Sequence, residues 1–123
     1  MHEGNTMIEK RRCKRLPLNI PVRVYGRTPD NLPFRDITTT KAVNIHGGLL
    51  PLSPRVKRGQ TVLLVNGYTG EERECRVVYV RATRGSKAKR VAIEFTDGKG
   101  PIGDFWHVFT PLVSLKAMRS PDC

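Results

Sequence analysis

Cysteine, aromatic residues and long apolar runs are all scarce in this sequence, and each shortage excludes a class of protein. The three cysteines, Cys13, Cys75 and Cys123, are scattered without a C-x-x-C pair, which disfavours both a disulfide framework and a zinc site. Aromatic residues make up only 7%, which is low for a protein that stacks on successive nucleobases. Because no apolar stretch approaches the roughly 20 residues that cross a bilayer, we expect no membrane insertion.

Catalytic motifs and targeting signals are missing as well. The serines show no nucleophile-elbow pattern, no Walker loop is present, and the 3 histidines are too few for a typical metal centre. We therefore expect a protein that is not an enzyme and carries no cofactor or metal. Residues 1–9 lack the apolar segment of a signal peptide, and the cysteine usage suits a reducing compartment. These observations predict a cytoplasmic location.

Positive charge, in contrast, is abundant. Lysine and arginine total 22 against 11 acidic residues, for a formal net charge of +11. This excess favours polyanionic partners, namely nucleic acid, phosphorylated ligands or an anionic membrane surface. The 123 residues, 38% of them hydrophobic, fit one folded domain. We expect a flexible start at 1–9, a domain with its basic arm at 10–110, and a tail at 111–123.

Alternating apolar residues predict strands rather than helices. The first predicted strand spans residues 18–24, and its apolar face consists of Leu18, Ile20, Val22 and Val24. Pro21 within it indicates an edge strand or a bulge, because proline donates no ladder hydrogen bond. Further strand-like segments span 34–43, 62–65, 71–83 and 90–96, and an apolar stretch at 49–52 follows the two glycines at 47 and 48. About six short strands separated by turn signals predict an all-β fold, a small antiparallel barrel or sandwich.

An aromatic segment at 104–109 follows the last of these strands. It is predicted to form a short cap, either a helical turn or a last strand. Trp106, the only tryptophan, is expected to close the core rather than to stack on a base. His107 beside it has no evident acidic or metal-binding partner.

Basic residues cluster in two segments. The first, Lys10-Arg11-Arg12-Cys13-Lys14-Arg15, places Arg11 and Arg15 in an R-x-x-x-R spacing directly before the first predicted strand. Such a run is a solubilising or nucleic-acid-attracting arm, unless it is held against the barrel, where guanidinium groups grip a phosphorylated ligand. The second segment spans a predicted hairpin loop and contains Arg81, Arg84, Lys87, Lys89 and Arg90. It is either a solvated surface or a dock for a phosphate-rich partner.

Two adjacent glycines mark the segment 42–50. Asn44 and His46 precede Gly47 and Gly48 between two apolar stretches. Because glycine has no Cβ, a ligand ring can approach the backbone closely at this point. The alternative is an ordinary bulge at the end of a strand. His46 is either a base-stacking group or a polar surface residue of the turn.

In this order and spacing, the two segments resemble the PilZ domain family, in which R-x-x-x-R precedes the first strand and a [D/N]-x-S-x-x-G turn follows about thirty residues later. The resemblance runs from about Arg11 to Phe109. It implies a six-stranded antiparallel PilZ-like β-barrel with a flexible basic N-terminal arm and a short C-terminal cap. Many PilZ domains bind the bacterial second messenger cyclic di-GMP, so the resemblance implies that ligand and an unidentified protein partner.

The resemblance also implies a role for each segment. Arg11 and Arg15 would contact the phosphates and guanine edges of the ligand, because a planar guanidinium bonds two acceptors and stacks on purines. Arg12 would raise the local positive potential. The turn with Gly47 and Gly48 would form the floor beneath a guanine.

The turn departs from the family pattern, and two alignments are open. If Gly47 is the family glycine, Ala42 replaces the acidic or amide residue and Asn44 replaces the serine. If Asn44 takes the acidic position, His46 replaces the serine and the turn is one residue short. The first alignment needs no deletion but lacks a carboxylate for the guanine edge, and leaving a buried donor unpaired costs about 1–3 kcal/mol. The amide oxygen of Asn44 could replace part of that contact.

Three functions therefore remain open from the sequence. The first is a non-enzymatic signalling domain that binds cyclic di-GMP and transmits the signal to a protein partner. The second is an adaptor of the same fold that binds no nucleotide and acts by protein contacts. The third is a basic β-barrel that binds nucleic acid, which the charge favours and the aromatic content does not.

Overall fold

The computed structural model describes residues 15–96 and 105–107, and every regular element within them is a strand. The strands are β1 (Pro21–Arg27), β2 (Pro33–Thr39), β3 (Ala42–Asn44), β4 (Gly47–Leu52), β5 (Thr61–Asn66), β6 (Glu72–Arg81) and β7 (Lys89–Phe95). The predicted all-β class is confirmed, with seven strands where six were expected. The described residues contain no helix that could span a membrane.

The seven strands form one antiparallel sheet in the order β2-β1-β5-β6-β7-β4-β3. The sheet curls on itself, and one sign of the curl is a hydrogen bond between strands that are far apart in this order. Ser53 N, just after β4, donates to Asp36 Oδ2 on β2 at 3.1 Å. The result is the barrel-like shape that the sequence predicts.

The extra strand arises because the predicted strand 34–43 is interrupted at Thr40. The buried Thr40 hydroxyl accepts from Ile20 N and donates to Leu18 O, both at 2.8 Å. These bonds tie the link between β2 and β3 to the segment before β1. As a consequence β1 begins at Pro21 rather than at residue 18. After the turn at residues 45 and 46 the chain forms β4, which pairs with both β3 and β7.

Pro21 does not lie on an edge strand, so that prediction was wrong. β1 is flanked by β2 on one side and by β5 on the other. Pro21 is its first residue, a position where the missing N–H costs no ladder bond. Its carbonyl accepts from Gly67 N at 2.7 Å, so the proline still contributes to the sheet.

One face of the curled sheet forms the core. The strands alternate between buried and more exposed residues, as in β6, where Arg73, Cys75 and Val77 are buried and their neighbours are exposed. The largest fully buried apolar side chains are Phe105, Leu50, Leu52, Leu64, Val22, Val24, Val43, Val62, Val77 and Val91. Full burial of each is worth about 1.5–3 kcal/mol. Residues 105–107 form a turn whose Phe105 and Trp106 close this core, as predicted for Trp106.

Candidate functional site

The turn between β3 and β4 is shaped by the side chain of Asn44. Its Oδ1 accepts the backbone N–H of His46 at 2.8 Å and that of Gly47 at 2.9 Å. These two bonds use both lone pairs of the amide oxygen. Asn44 therefore builds the turn, and its Oδ1 has no lone pair left for the edge of a base.

Gly47 is the position where the turn needs a glycine. A Cβ at this residue would overlap Ile93 O and lie 2.8 Å from Glu94 Cα, so the backbone of β4 passes too close to β7 for any side chain. A Cβ on Gly48 would lie 3.2 Å from Trp106 Cζ2, which is tight but not an overlap. The geometry thus distinguishes two adjacent glycines that the sequence alone leaves equivalent.

Trp106 holds the turn from the core side. Its indole Nε1–H is shared between Asn44 O at 2.9 Å and Gly47 O at 3.2 Å. The ring lies edge-on to Phe105, with centroids 4.9 Å apart, and 6.0 Å from the ring of Phe95. The sequence indicates that Trp106 is a core residue but contains no sign of these hydrogen bonds, because they join residues about sixty positions apart.

Arg15 is positioned by the residue that follows it. Leu16 forms an antiparallel bridge with Val43 on β3, in which Leu16 N donates to Val43 O at 2.7 Å and Val43 N donates to Leu16 O at 2.9 Å. The last residue of the first basic segment is therefore held beside the outer edge of the sheet. Arg11 and Arg12, the other two predicted ligand-binding arginines, lie outside the described residues.

A groove of about 260 Å³ lies between Arg15, the turn and the neighbouring strands. The structure brings together in it the five predicted site residues that it describes, Arg15, Asn44, His46, Gly47 and Gly48. Strands β6 and β7 supply the other lining residues, namely Val78, Tyr79, Ala92, Ile93 and Glu94. Positions more than twenty-five residues apart in sequence thus line one surface depression.

Glu94 is a groove residue that the sequence reasoning missed. It lies on β7 directly across from Gly47 in the register with β4. Its Oε2 is 3.1 Å from Arg76 Nη2, and both side chains are about half exposed, 53% for Arg76 and 45% for Glu94. Nothing in the sequence marks Glu94, because it occupies an ordinary exposed position of a predicted strand. Only the register places its carboxylate beside the turn.

A second and larger depression lies where β1 ends and β5 begins. It measures about 470 Å³ and includes Arg27, Lys57 and Gln60 among its lining residues. Its polar side chains hold the loops together, since Arg27 Nη1 donates to Asn31 O and Gln60 Nε2 donates to Arg27 O. None of the predicted site residues lies there, so the groove beside Arg15 remains the better candidate despite its smaller volume.

Two further observations concern titratable residues. The expectation that His107 lacks an acidic partner was wrong, because its Nε2 lies 3.1 Å from Glu71 Oε1. Within residues 15–96 and 105–107, no group of three or more His, Cys, Asp or Glu side chains could hold a metal ion.

Comparisons with known proteins identify the fold through solved structures rather than through sequence. No protein-family profile matches the chain, and no curated protein sequence matches it. Among solved structures, the inhibitor of motility MotI/DgrA of Bacillus subtilis matches with a TM-score of 0.53 and 15% identity, over 69% of this chain and 42% of the other. Escherichia coli YcgR in complex with c-di-GMP matches with a TM-score of 0.51 and 16% identity, over 89% of this chain and 43% of YcgR.

The PilZ domain of YcgR, also solved with c-di-GMP, has a TM-score of 0.50 and 14% identity, over 89% of this chain and 87% of that domain. The chain therefore spans less than half of MotI/DgrA and of the longer YcgR structure, and most of the isolated PilZ domain. At these identities the matches describe the fold alone. This chain has a PilZ-like fold, which agrees with the resemblance found in the sequence.

Proposed function

We propose that this PilZ-like domain is a non-enzymatic, cytoplasmic receptor that binds cyclic di-GMP in the groove beside Arg15. The observation that carries the proposal is the convergence of Arg15 and the glycine turn on one groove, although 28 or more residues separate them in sequence. The YcgR domain, whose fold this chain shares, was solved with c-di-GMP, which adds support.

The chemistry of the groove suits a cyclic dinucleotide. Arg15 is exposed and provides a planar guanidinium, which bonds phosphate oxygens in pairs and stacks on purine rings. Gly47 and Gly48 line the groove with backbone alone, so a flat base would contact peptide groups there rather than side chains. His46 is exposed beside them and offers a further ring for contact with the ligand.

The groove volume suggests how the basic arm takes part. About 260 Å³ lies below the range of about 300–1,000 Å³ that is common for ligand sites. A dinucleotide would therefore extend beyond the groove. We expect Arg11 and Arg12, which precede the anchored Leu16, to cover the exposed part of the ligand. Ligand binding would then change the surface that a protein partner contacts.

Isothermal titration with cyclic di-GMP tests the proposal. The wild-type domain should bind, and Arg15→Ala should weaken binding at least tenfold, because a charged hydrogen bond is worth about 1.5–3 kcal/mol. Arg84→Ala is the matched control, since Arg84 is an equally exposed arginine outside the groove, and its affinity should equal that of wild type. Folded wild-type protein that gives no heat at high micromolar ligand would contradict the proposal.

A second candidate is the adaptor that binds no nucleotide, and one observation favours it. Ala42 carries no polar group and Asn44 Oδ1 is already saturated, so the turn itself provides no carboxylate for a guanine. On this reading Ala42→Asp together with Asn44→Ser should create binding that the wild type lacks. Equal binding by the wild type would exclude it.

A further inference from the structure

Four hydrogen-bond acceptors of the β3–β4 turn are already engaged. Asn44 O and Gly47 O accept from the Trp106 indole, and His46 O accepts from Phe95 N at 2.8 Å. Asn44 Oδ1 accepts two backbone N–H groups. A base that lies on this turn therefore finds few free acceptors there, and a side chain elsewhere in the groove is the better partner for its donors, because an unpaired buried donor is costly.

Among the described residues that line the groove, two others carry side-chain oxygen, Tyr79 and Glu94. The Tyr79 hydroxyl is a single oxygen and cannot accept from two adjacent donors with separate atoms. The Glu94 carboxylate can, because its two oxygens accept in parallel, as they do with the fork of an arginine. Within residues 15–96 and 105–107, Glu94 is also the only carboxylate that lines the groove.

The fold holds the backbone of Glu94 beside the turn. β7 is paired on both sides, with β4 and with β6, and Glu94 is opposite Gly47 on one side and Arg76 on the other. The hydrogen bond from Phe95 N to His46 O fixes the next residue against the turn. The ion pair with Arg76 is exposed to solvent, so exchanging it for a ligand contact costs little.

We infer that Glu94 on β7 determines base specificity in this groove, by accepting N1–H and N2–H₂ of a guanine that rests on the β3–β4 turn. Guanine presents these two donors side by side on its Watson–Crick edge. Adenine presents an unprotonated N1 at the same place, and a carboxylate repels it. The inference rests on the proposed function, and it assigns to a different strand the contact that Ala42 cannot make.

Titration of a Glu94→Gln variant with cyclic di-GMP tests the inference. Glutamine keeps the size of the side chain but replaces one acceptor oxygen with a donor, so we expect affinity to fall about tenfold to a hundredfold. Glu72→Gln is the matched control, because Glu72 is an exposed carboxylate on β6 outside the groove, and its affinity should not change. Circular dichroism and thermal unfolding establish that each variant is folded.

Two further experiments test whether Glu94 contacts the base directly or acts only through Arg76. Arg76→Gln removes the ion-pair partner of Glu94 and should leave affinity unchanged or raise it, whereas a loss equal to that of Glu94→Gln would overturn the inference. Cyclic di-AMP should bind the wild type more weakly than cyclic di-GMP, and this preference should shrink in Glu94→Gln. An unchanged preference would also overturn it.

The proposed function and this inference fail in different ways. If the folded wild type binds no cyclic di-GMP, the proposed function is wrong and the role of Glu94 is wrong with it. If the wild type binds, Arg15→Ala weakens binding and Glu94→Gln does not, the receptor function stands and only the role of Glu94 is overturned.

Discussion

The β3–β4 turn and the β6–β7 hairpin loop are built from similar residues but are held in different ways. Both contain glycine, and both lie close to basic residues. The first is fixed by the Asn44 side chain, by the Trp106 indole and by close contact with the β7 backbone. The hairpin loop has two local bonds, from Ser86 N to Thr83 O and from Ala88 N to Ser86 Oγ, and most of its residues are exposed.

The same contrast applies to the two basic segments. Arg15 lies in a groove with a carboxylate, a glycine turn and an exposed histidine. In the hairpin, Arg81 and Arg90 are directly opposite each other, an arrangement of like charges that weakens a strand pair. The comparison teaches that a basic run becomes a candidate site only where the fold sets other chemical groups beside it. Four pairs of matched substitutions test this contrast, from the largest expected effect to the smallest.

Removing the indole should destabilise the protein most. Trp106→Ala deletes a ring that is 3% exposed and also the donor to Asn44 O and Gly47 O. We expect the free energy of unfolding to fall by about 3–5 kcal/mol, measured by urea denaturation. Lys87→Ala in the hairpin should stay within about 0.5 kcal/mol of wild type. A loss below about 1 kcal/mol for Trp106→Ala would mean that the turn does not depend on the indole.

Alanine at Gly47 of the β3–β4 turn and alanine at Gly85 of the β6–β7 hairpin loop should destabilise the protein for different reasons. Gly47→Ala forces a methyl group onto the β7 backbone, and we expect a loss of about 3 kcal/mol or more together with loss of ligand binding. Gly85 has a φ of +77° and open space around it, so Gly85→Ala should cost about 1–2 kcal/mol of backbone strain and leave binding intact. Thermal unfolding and titration of both variants measure the difference, and equal effects on binding would contradict it.

Loss of a side-chain acceptor should matter more in the turn than in the hairpin. Asn44→Ala removes the acceptor for two backbone N–H groups and should cost about 1–3 kcal/mol. Ser86→Ala removes one exposed bond of 3.2 Å and should cost less than about 0.5 kcal/mol. Asn44→Asp, which keeps the acceptor, should recover most of the stability in the same urea experiment. Failure of that recovery would argue against the acceptor role.

Reversing one hairpin charge should give the smallest effect, and a stabilising one. Arg90→Glu replaces repulsion with attraction across the pair with Arg81, so we expect a gain of about 0.2–1 kcal/mol. The gain should shrink as salt is added, because exposed charges are screened. Arg84→Glu, in the loop rather than in the paired strands, is the control and should change stability less. If Arg90→Glu destabilised the protein, the repulsion between Arg81 and Arg90 would matter less than other interactions of Arg90.

Much of the fold could be predicted because alternation of apolar residues is a local signal. The all-β class and the positions of the β5, β6 and β7 strands follow from it. The division of the predicted strand 34–43 could not be predicted, since it depends on bonds from the Thr40 hydroxyl to residues about twenty positions earlier. The interior place of β1 likewise depends on β5, a partner that arrives forty residues later in the chain.

The candidate site likewise contains residues that the sequence predicted and residues that only the structure revealed. Arg15, Asn44, His46, Gly47 and Gly48 were predicted from their spacing, and the structure places them in one groove. The sequence did not predict that the Trp106 indole bonds to the turn. It also did not predict that Glu94 provides a carboxylate in the groove. Each residue reaches the turn through pairing or packing with residues far away in sequence.

The sequence by itself determined the basic character of the chain, its all-β class and the two segments that carry chemistry, because charge, alternation and glycine placement are properties of neighbouring residues. Only the tertiary structure decided which of two adjacent glycines is required, which acceptors of the turn are already engaged, and which carboxylate shares a groove with Arg15. Those facts depend on how close separate strands approach, and strand register, set by the whole sheet, determines that distance.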